Sequence, residues 1–179
     1  MRCVYTVYTL ILMAFVILSA EAGPLAAQEN HAGYARNTVF VEGLGPGFLY
    51  SLNYDRLIMP DISVRVGFSS WSLPALFLLI NGEIRIVDFP IMVNYLVGHD
   101  ASRLELGIGL MPTFLSLHGE EIFLGSVVDG KASMVFGTAT VGFRYQPKEG
   151  GLIFRIGFTP VFTFKKFLPW AGVSLGAAF

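Results

Sequence analysis

The chain has very little cysteine and little charge, and both shortages exclude classes of function. Its one cysteine, Cys3, lies ahead of the N-terminal apolar run, where a lipoprotein cysteine would follow it. Removal of that segment would leave no thiol for a disulfide, a nucleophile or a metal ligand. Charged residues make up 14% of the chain, 12 basic against 13 acidic, whereas soluble domains have about 25%. This near-neutral balance lacks the basic footprint of nucleic-acid binding.

The chain begins with the pattern of a secretory signal peptide. An arginine near the start precedes an apolar run over residues 7–18, and the small residues Ala20 and Ala22 suit a cleavage site. We expect a signal peptide over residues 1–22, with a second candidate site after Ala27. An uncleaved anchor is the alternative, but the run is short for a membrane span.

A second long apolar run is also lacking, although the chain is rich in apolar residues. Apolar residues make up 54% of the chain, against about 45–50% in soluble domains. After the predicted signal peptide, the longest charge-free stretch is Val66–Gly82, which is interrupted by glycine, serine and proline. Among membrane-spanning structures, only a closed barrel buries such an excess in strands, because its backbone groups are then all paired.

The last residues alternate as an outward-facing barrel strand does. Side chains alternate between the two faces of a strand. One face of the segment Leu168–Phe179 is apolar and ends in an aromatic residue, and the other is mostly small or weakly polar. The apolar face carries Ala171, Val173, Leu175, Ala177 and Phe179. This pattern predicts the closing strand of a transmembrane barrel.

Seven further alternating runs predict the rest of an all-β, eight-stranded antiparallel transmembrane up-and-down β-barrel over residues 38–179. A polar lead-in over residues 28–37 precedes it. A soluble periplasmic barrel of lipocalin type, with its apolar face inward, is the alternative. The predicted strands are Thr38–Gly45, Leu49–Ile58, Ile62–Trp71, Val87–Leu96, Arg103–Leu117, Ser133–Gln146, Leu152–Phe164 and Leu168–Phe179.

Most connections alternate in length as a barrel in the outer membrane requires, although the first outer connection, Pro46-Gly47-Phe48, is short. Those after the second, fourth and sixth strands are short, whereas residues 72–86 and 118–132 form long predicted outer loops. Each long loop contains a hairpin signal, Asn81-Gly82 or Asp129-Gly130. We therefore expect each loop to rise as a two-stranded flap.

Charges of both signs fall on the face of the strands that is opposite the apolar one. Small barrels are only wide enough for their own side chains, and buried charges must be paired. The pattern predicts a lumen closed by ion pairs, and the alternative is a narrow conducting path. The predicted lumen network consists of Glu42, Asp55, Arg65, Glu105, Arg144 and Arg155.

No residue pattern indicates catalysis. Ser116, His118 and Glu120 alternate at the outer end of the predicted strand Arg103–Leu117, but residues two apart lie about 6.5–7 Å apart, too far for a direct proton relay. His31 and His99 are isolated and lack metal-ligand spacing. We therefore expect no catalytic, cofactor-binding or metal site.

Two short motifs have ordinary interpretations. The glycine-rich segment Gly43–Gly47 lacks the spacing and the following helix of a phosphate loop, so it is predicted to be a turn. Lys165 and Lys166, in the last outer loop, are candidates for contact with lipopolysaccharide phosphates, and a simply solvated pair is the alternative.

The signal peptide, the strand pattern and the terminal Phe179 resemble those of the small OmpA/OmpX-type barrels. The segments Phe48–Arg56 and Pro90–Leu96 are similar to those of uncharacterised outer-membrane barrels of this size. The resemblance implies assembly by the outer-membrane barrel insertion machinery, which reads a C-terminal aromatic residue. It implies no catalytic residue.

These observations together predict a monomeric integral protein of the Gram-negative outer membrane. Its expected role is structural or interactive, and its expected partners are outer-membrane lipids, lipopolysaccharide and the barrel assembly machinery. A small passive pore or lipid-handling barrel is the first alternative. A lipid-modifying enzyme is the second.

Overall fold

Strands make up most of the part of the chain that the structure describes. The structure is a computed structural model that describes residues 35–75, 80–121 and 127–179. The predicted signal peptide over residues 1–22, with its alternative cleavage site after residue 27, lies outside the described residues, as does His31. The strand segments are β1 (Asn37–Leu44), β2 (Tyr50–Met59), β3 (Ile62–Pro74), β4 (Ile80–Asp88), β5 (Ile91–Val97), β6 (Ser102–Glu121), β7 (Val127–Tyr145), β8 (Gly151–Phe158), β9 (Val161–Phe162), β10 (Phe167–Leu168) and β11 (Ala171–Ala178).

Prolines divide three of the ring's eight strands into two segments each. Pro90 lies between β4 and β5, Pro160 between β8 and β9, and Pro169 between β10 and β11. Both segments of each strand keep the same register with their neighbours. Proline has no N–H to donate, so the ladder is interrupted locally while the strand continues.

The sheet closes into a ring between the first and last strands. β1 pairs antiparallel with β11, with Thr38 opposite Ala178, and all other neighbours in the ring are antiparallel as well. Following the register once around the ring from Phe162 leads back to Leu152, ten residues earlier on the same strand. Such a stagger tilts the strands by about 40° and leaves an interior for side chains only. The predicted eight-stranded antiparallel barrel is confirmed.

The two ends of the barrel differ in their connections. The terminal end carries the first and last described residues and the connections 60–61, 98–101 and 146–150. Here the Ala35 N–H donates to the Lys148 carbonyl, at 2.8 Å. The loop end carries the remaining connections, and the first of them is a 3₁₀ turn over Gly45–Gly47.

Residues 72–86 and 118–132 are mostly paired strand, as the expected two-stranded flaps require, but the predicted turns at the two dipeptides are wrong. Strands β3, β4, β6 and β7 continue through most of these residues and pair with one another, which we call the loop-end extension. The Asn81-Gly82 and Asp129-Gly130 dipeptides lie inside paired strands and form no turns. At residue 82 the strands approach closely, because an added Cβ would lie 2.1 Å from the His118 carbonyl oxygen. Cross-strand pairing therefore outweighs the local turn signal.

The wall of the barrel has an apolar outward face and a polar inward face. Outward side chains such as Ile108 and Leu175 are more than half exposed. Phe68, Phe89 and Phe114 form an outward row on neighbouring strands, with ring centroids 5.5 and 6.1 Å apart. Among the described ranges, no helix is long and apolar enough to cross a membrane.

Candidate functional site

The lumen collects nearly all of the buried charge of the barrel. Alternation along the strands turns every second side chain inward. The six residues of the predicted network are all at most 5% exposed, and they come from β1, β2, β3, β6, β7 and β8. The structure brings them into two groups, and ion pairs connect the residues within each group. Together the groups contain Glu42, Asp55, Arg65, Glu105, Arg144 and Arg155.

The first group joins Arg65 to Glu42 across the lumen. Both terminal nitrogens of Arg65 donate to the carboxylate, one of them at 3.2 Å, and its Nε donates to Asn53 Oδ1 at 2.9 Å. Ser51 and Ser174 donate their hydroxyls to the same carboxylate at 3.3 and 3.4 Å. The buried charge of Glu42 is therefore both paired and hydrogen-bonded, as burial requires.

The second group is a chain of alternating charges. Arg144 Nη2 donates to Asp55 Oδ1 at 2.7 Å, and its Nη1 lies 3.7 Å from Glu105 Oε1. Arg155 donates to both oxygens of Glu105, from Nε at 2.9 Å and from Nη2. Ser63 donates to the second oxygen of Asp55, at 2.8 Å. Bidentate contacts of this kind fix the orientation of the guanidinium plane as well as its charge.

An aromatic ring that the sequence analysis did not assign to the lumen connects the two groups. Phe40 is 1% exposed, and its ring centroid lies 5.1 Å from the guanidinium carbon of Arg65 and 4.4 Å from that of Arg155. Both cations therefore lie within cation–π range of one ring. Strand parity could have found it, because Phe40 is two residues from the inward-facing Glu42.

A further buried arginine lies at the terminal end of the lumen. Arg103 donates to the Pro60 carbonyl at 3.2 Å and to Gln146 Oε1 at 3.0 Å. Gln146 also accepts from Arg144 Nε at 2.9 Å, and donates to the Ala35 carbonyl at 2.7 Å. The residues before β1 are thereby tied to the charge network above them.

At the loop end, the first turn folds into the lumen instead of standing outside it. Gly45, Pro46 and Gly47 are buried, and Ser69 donates to the Gly47 carbonyl at 3.1 Å. An added Cβ at residue 45 would lie 2.4 Å from the Glu42 carboxylate carbon. Only glycine allows this approach, and its φ of +71° suits glycine as well. The sequence predicts the turn but not its inward direction.

The turn carries Phe48, which we call the aromatic lid. Its ring meets those of Trp71, Phe136 and Trp170 edge to face, at centroid distances of 6.3, 6.3 and 6.5 Å. Phe48 has a φ of +62°, a left-handed conformation that is costly for a side chain of this size. The surrounding rings hold the residue in place across the mouth of the lumen.

Some buried polar atoms remain without a hydrogen-bond partner among the described residues. One group lies near the centre of the barrel, where Thr140, Arg155 and Thr159 line a cavity of about 10 Å³. This volume suits about one water molecule. Near the lid, Asp88 accepts from Thr113 at 2.7 Å through one oxygen, and its other oxygen has no partner.

The serine, histidine and carboxylate that the sequence analysis rejected as a triad have separate surroundings where their side chains are described. His118 Nδ1 contacts Asp129 on the neighbouring strand, and both side chains are well exposed. The side chain of Glu120 lies outside the described residues, and Ser116 lies opposite Lys131 in the register. The described residues also contain no cluster of histidine, cysteine and carboxylate side chains that could hold a metal ion.

Comparison with known proteins shows the fold. The crystal structure of the N-terminal β-barrel domain of Pseudomonas aeruginosa OprF is 15% identical, with a TM-score of 0.55, and the alignment covers 82% of this chain and 99% of that chain. The attachment invasion locus protein Ail of Yersinia pestis is 12% identical, with a TM-score of 0.48, covering 80% of this chain and 97% of that chain. Neisserial surface protein A is 10% identical, with a TM-score of 0.45, and the alignment covers 79% of this chain and 90% of that chain. No protein-family model matches, and no curated protein matches the sequence.

Proposed function

We propose that this chain is an integral protein of the Gram-negative outer membrane with a structural or interaction role. In this proposal, residues 1–22 direct export, and the barrel assembly machinery reads Phe179 during insertion. The terminal end then faces the periplasm and the loop end faces outward.

The polarity of the wall is the observation that carries the proposal. On β6 the outward face is apolar from Leu104 to Phe114 and becomes polar at Ser116 and His118. With the strand tilt, this apolar band is about 25 Å tall, which is the height that a bilayer requires of a barrel. A soluble barrel of the lipocalin type would instead place apolar side chains inward, where this one places its arginines and carboxylates.

In the proposed protein, the lumen is closed by its own side chains. The two ion-pair groups fill its centre, and the aromatic lid covers the loop end. The small cavity lined by Thr140, Arg155 and Thr159 has room for about one water molecule. This filling favours a structural or interaction role over a passive pore.

The loop-end extension supports the interaction role. From Val127 to Phe136, β7 pairs with β6, and within the described ranges its other edge has no partner before Gly137. Val127 and Val135 along this stretch are 66% and 60% exposed. Unpaired strand edges bind extended segments of other proteins through backbone hydrogen bonds.

Cell fractionation tests the membrane location. We expect the protein in the outer-membrane fraction, extracted only by detergent, and migrating as a heat-modifiable band because the folded barrel resists denaturation at room temperature. Recovery from the soluble periplasm without detergent would contradict the proposal.

Planar-bilayer recording tests the closed lumen separately. We expect no steady conductance from the purified, folded barrel. A steady open channel would favour the pore, and it would leave the membrane location intact. Lipid A mass spectra from cells with and without the protein test the enzymatic alternative, and we expect them to be unchanged.

A further inference from the structure

The last loop-end hairpin presents two lysines in a fixed turn. The Thr163 N–H donates to the Lys166 carbonyl at 2.8 Å, and the Thr163 hydroxyl accepts from the N–H groups of Lys165 and Lys166, at 3.3 and 3.1 Å. Both lysine side chains are exposed, and neither forms an ion pair with a described residue. The turn therefore holds two cations side by side on a short hairpin.

An apolar groove lies on the wall immediately beside this hairpin. It has a volume of about 260 Å³ and is lined by Leu44, Phe158, Pro169, Trp170 and Ala171. Pro169 is three residues after Lys166, so the backbone path from the lysine turn to the groove is at most about 11 Å. The fully exposed ring of Phe164 projects from the turn itself.

The charge on this side of the barrel is of one sign. From Leu152 to Phe179 the sequence has no aspartate or glutamate. On the neighbouring strand β1 the acidic residue is Glu42, which is buried and already paired with Arg65. On β7, the other neighbour, the acidic residue is Asp129, which lies eight residues before Gly137, where the pairing with β9 begins. The loop-end extension differs, because it carries exposed Glu83 and Asp129 beside its basic residues.

We propose that the lysine turn and the groove together bind one anionic phospholipid molecule of the surrounding bilayer. One acyl chain would lie in the groove, and the phosphate would lie between Lys165 and Lys166. This inference rests on the proposed membrane location. A lipid is the occupant that fits, because only a lipid joins a long apolar chain to a phosphate across so short a distance.

Tryptophan fluorescence tests the proposal directly, because Trp170 lines the groove and the chain has only one other tryptophan, Trp71. In a Trp71→Phe background, the barrel is placed in phosphatidylcholine nanodiscs with a minor fraction of brominated phosphatidylglycerol or brominated phosphatidylcholine. We expect the anionic lipid to be enriched on the order of fivefold near Trp170, since each lysine near a surface attracts anionic lipid. Its quenching should exceed that of the zwitterionic lipid accordingly.

The K165Q/K166Q variant should bring the two quenching curves together. The matched control K131Q/K148Q removes the same charge elsewhere and should keep the difference. Equal quenching by both lipids in the parent protein, or an undiminished difference in K165Q/K166Q, would overturn the proposal. Quenching by neither brominated lipid would mean that no acyl chain lies in the groove and would also overturn the proposal, whereas the fractionation experiment tests the membrane location separately.

Native mass spectrometry gives a second readout that does not depend on the Trp71→Phe variant. The wild-type protein, released from micelles containing phosphatidylglycerol and phosphatidylcholine, should retain one phosphatidylglycerol, and K165Q/K166Q should lose this preference. Unselective retention of both lipids by the wild type would contradict the site.

Discussion

The barrel holds the same kinds of ion pair in two very different surroundings. Arg144 and Asp55 meet inside the lumen with both side chains 0% exposed, whereas Arg85 and Glu83 meet on the loop-end extension at 60% and 51% exposure. The two charges of an exposed pair remain hydrated whether or not they are in contact, so the pair contributes about 0–1 kcal/mol to the free energy of unfolding. The charges of a buried pair have lost their hydration, so each of them is stabilised mainly by its partner. The distance between the charges is similar, and the solvent around them decides the energy.

Removing a buried arginine should give the largest effect. In Arg155→Met, Glu105 keeps only its longer contact with Arg144, at 3.7 Å. We expect the free energy of unfolding to fall by about 3–5 kcal/mol, because an uncompensated charge stays buried. Urea unfolding in detergent micelles, followed by heat-modifiable gel mobility, measures it. Equal stability of the variant and the wild type would show that this ion pair does not stabilise the barrel.

Removing both partners of the same pair should cost less than removing the arginine alone. In Arg155→Met/Glu105→Leu no carboxylate is left without its guanidinium, while Arg144 keeps its bond to Asp55. The two substitutions should therefore be non-additive in the same urea measurement. A double variant as unstable as the sum of its single variants would mean that the two side chains act independently.

Phe40→Leu should have a smaller effect that separates cation–π attraction from packing. Leucine keeps apolar contact with the neighbouring Ile153 and Ala178, but it removes the ring shared by two guanidinium groups. We expect a loss of about 2 kcal/mol, the value for desolvated cation–π contacts. If the loss is below the error of the measurement, the ring acts only as a space filler.

Arg85→Gln should have the smallest effect. The exposed pair with Glu83 is screened by salt and by water. We expect the free energy of unfolding to change by less than about 0.5 kcal/mol. Added salt should change the difference between wild type and variant by no more than that amount. A loss comparable to that of Arg155→Met would remove the distinction between the two surroundings.

Strand parity predicted which charged residues face inward, but it could not predict which of them pair. Arg144 on β7 meets Asp55 on β2, across the lumen and far apart in sequence. Such partners depend on the ten-residue stagger of the ring, and no local pattern encodes that stagger. The inward turn at Gly45–Gly47 is of the same kind, because its direction depends on space left by distant strands.

The turn positions predicted within the loop-end extension were wrong for a different reason. The Asn81-Gly82 and Asp129-Gly130 dipeptides favour a two-residue turn when neighbouring chain is free to fold back locally. Here each dipeptide lies opposite a neighbouring strand in register, Gly82 opposite Gly119 and Asp129 opposite His118. Long-range pairing therefore overrides a local preference worth far less than the ladder it would break.

The ladder between β1 and β11 determines how the chain must fold. It joins Thr38 to Ala178. Every other ladder joins two of the ring's eight strands that follow one another along the chain. Contacts of such large sequence separation form slowly, and until this one forms the sheet has two open edges. Open edges cannot rest in hydrocarbon because their backbone groups are unpaired. In the proposed membrane protein, stable insertion therefore requires closure of the ring, and a chain truncated before β11 would remain an aggregation-prone open sheet.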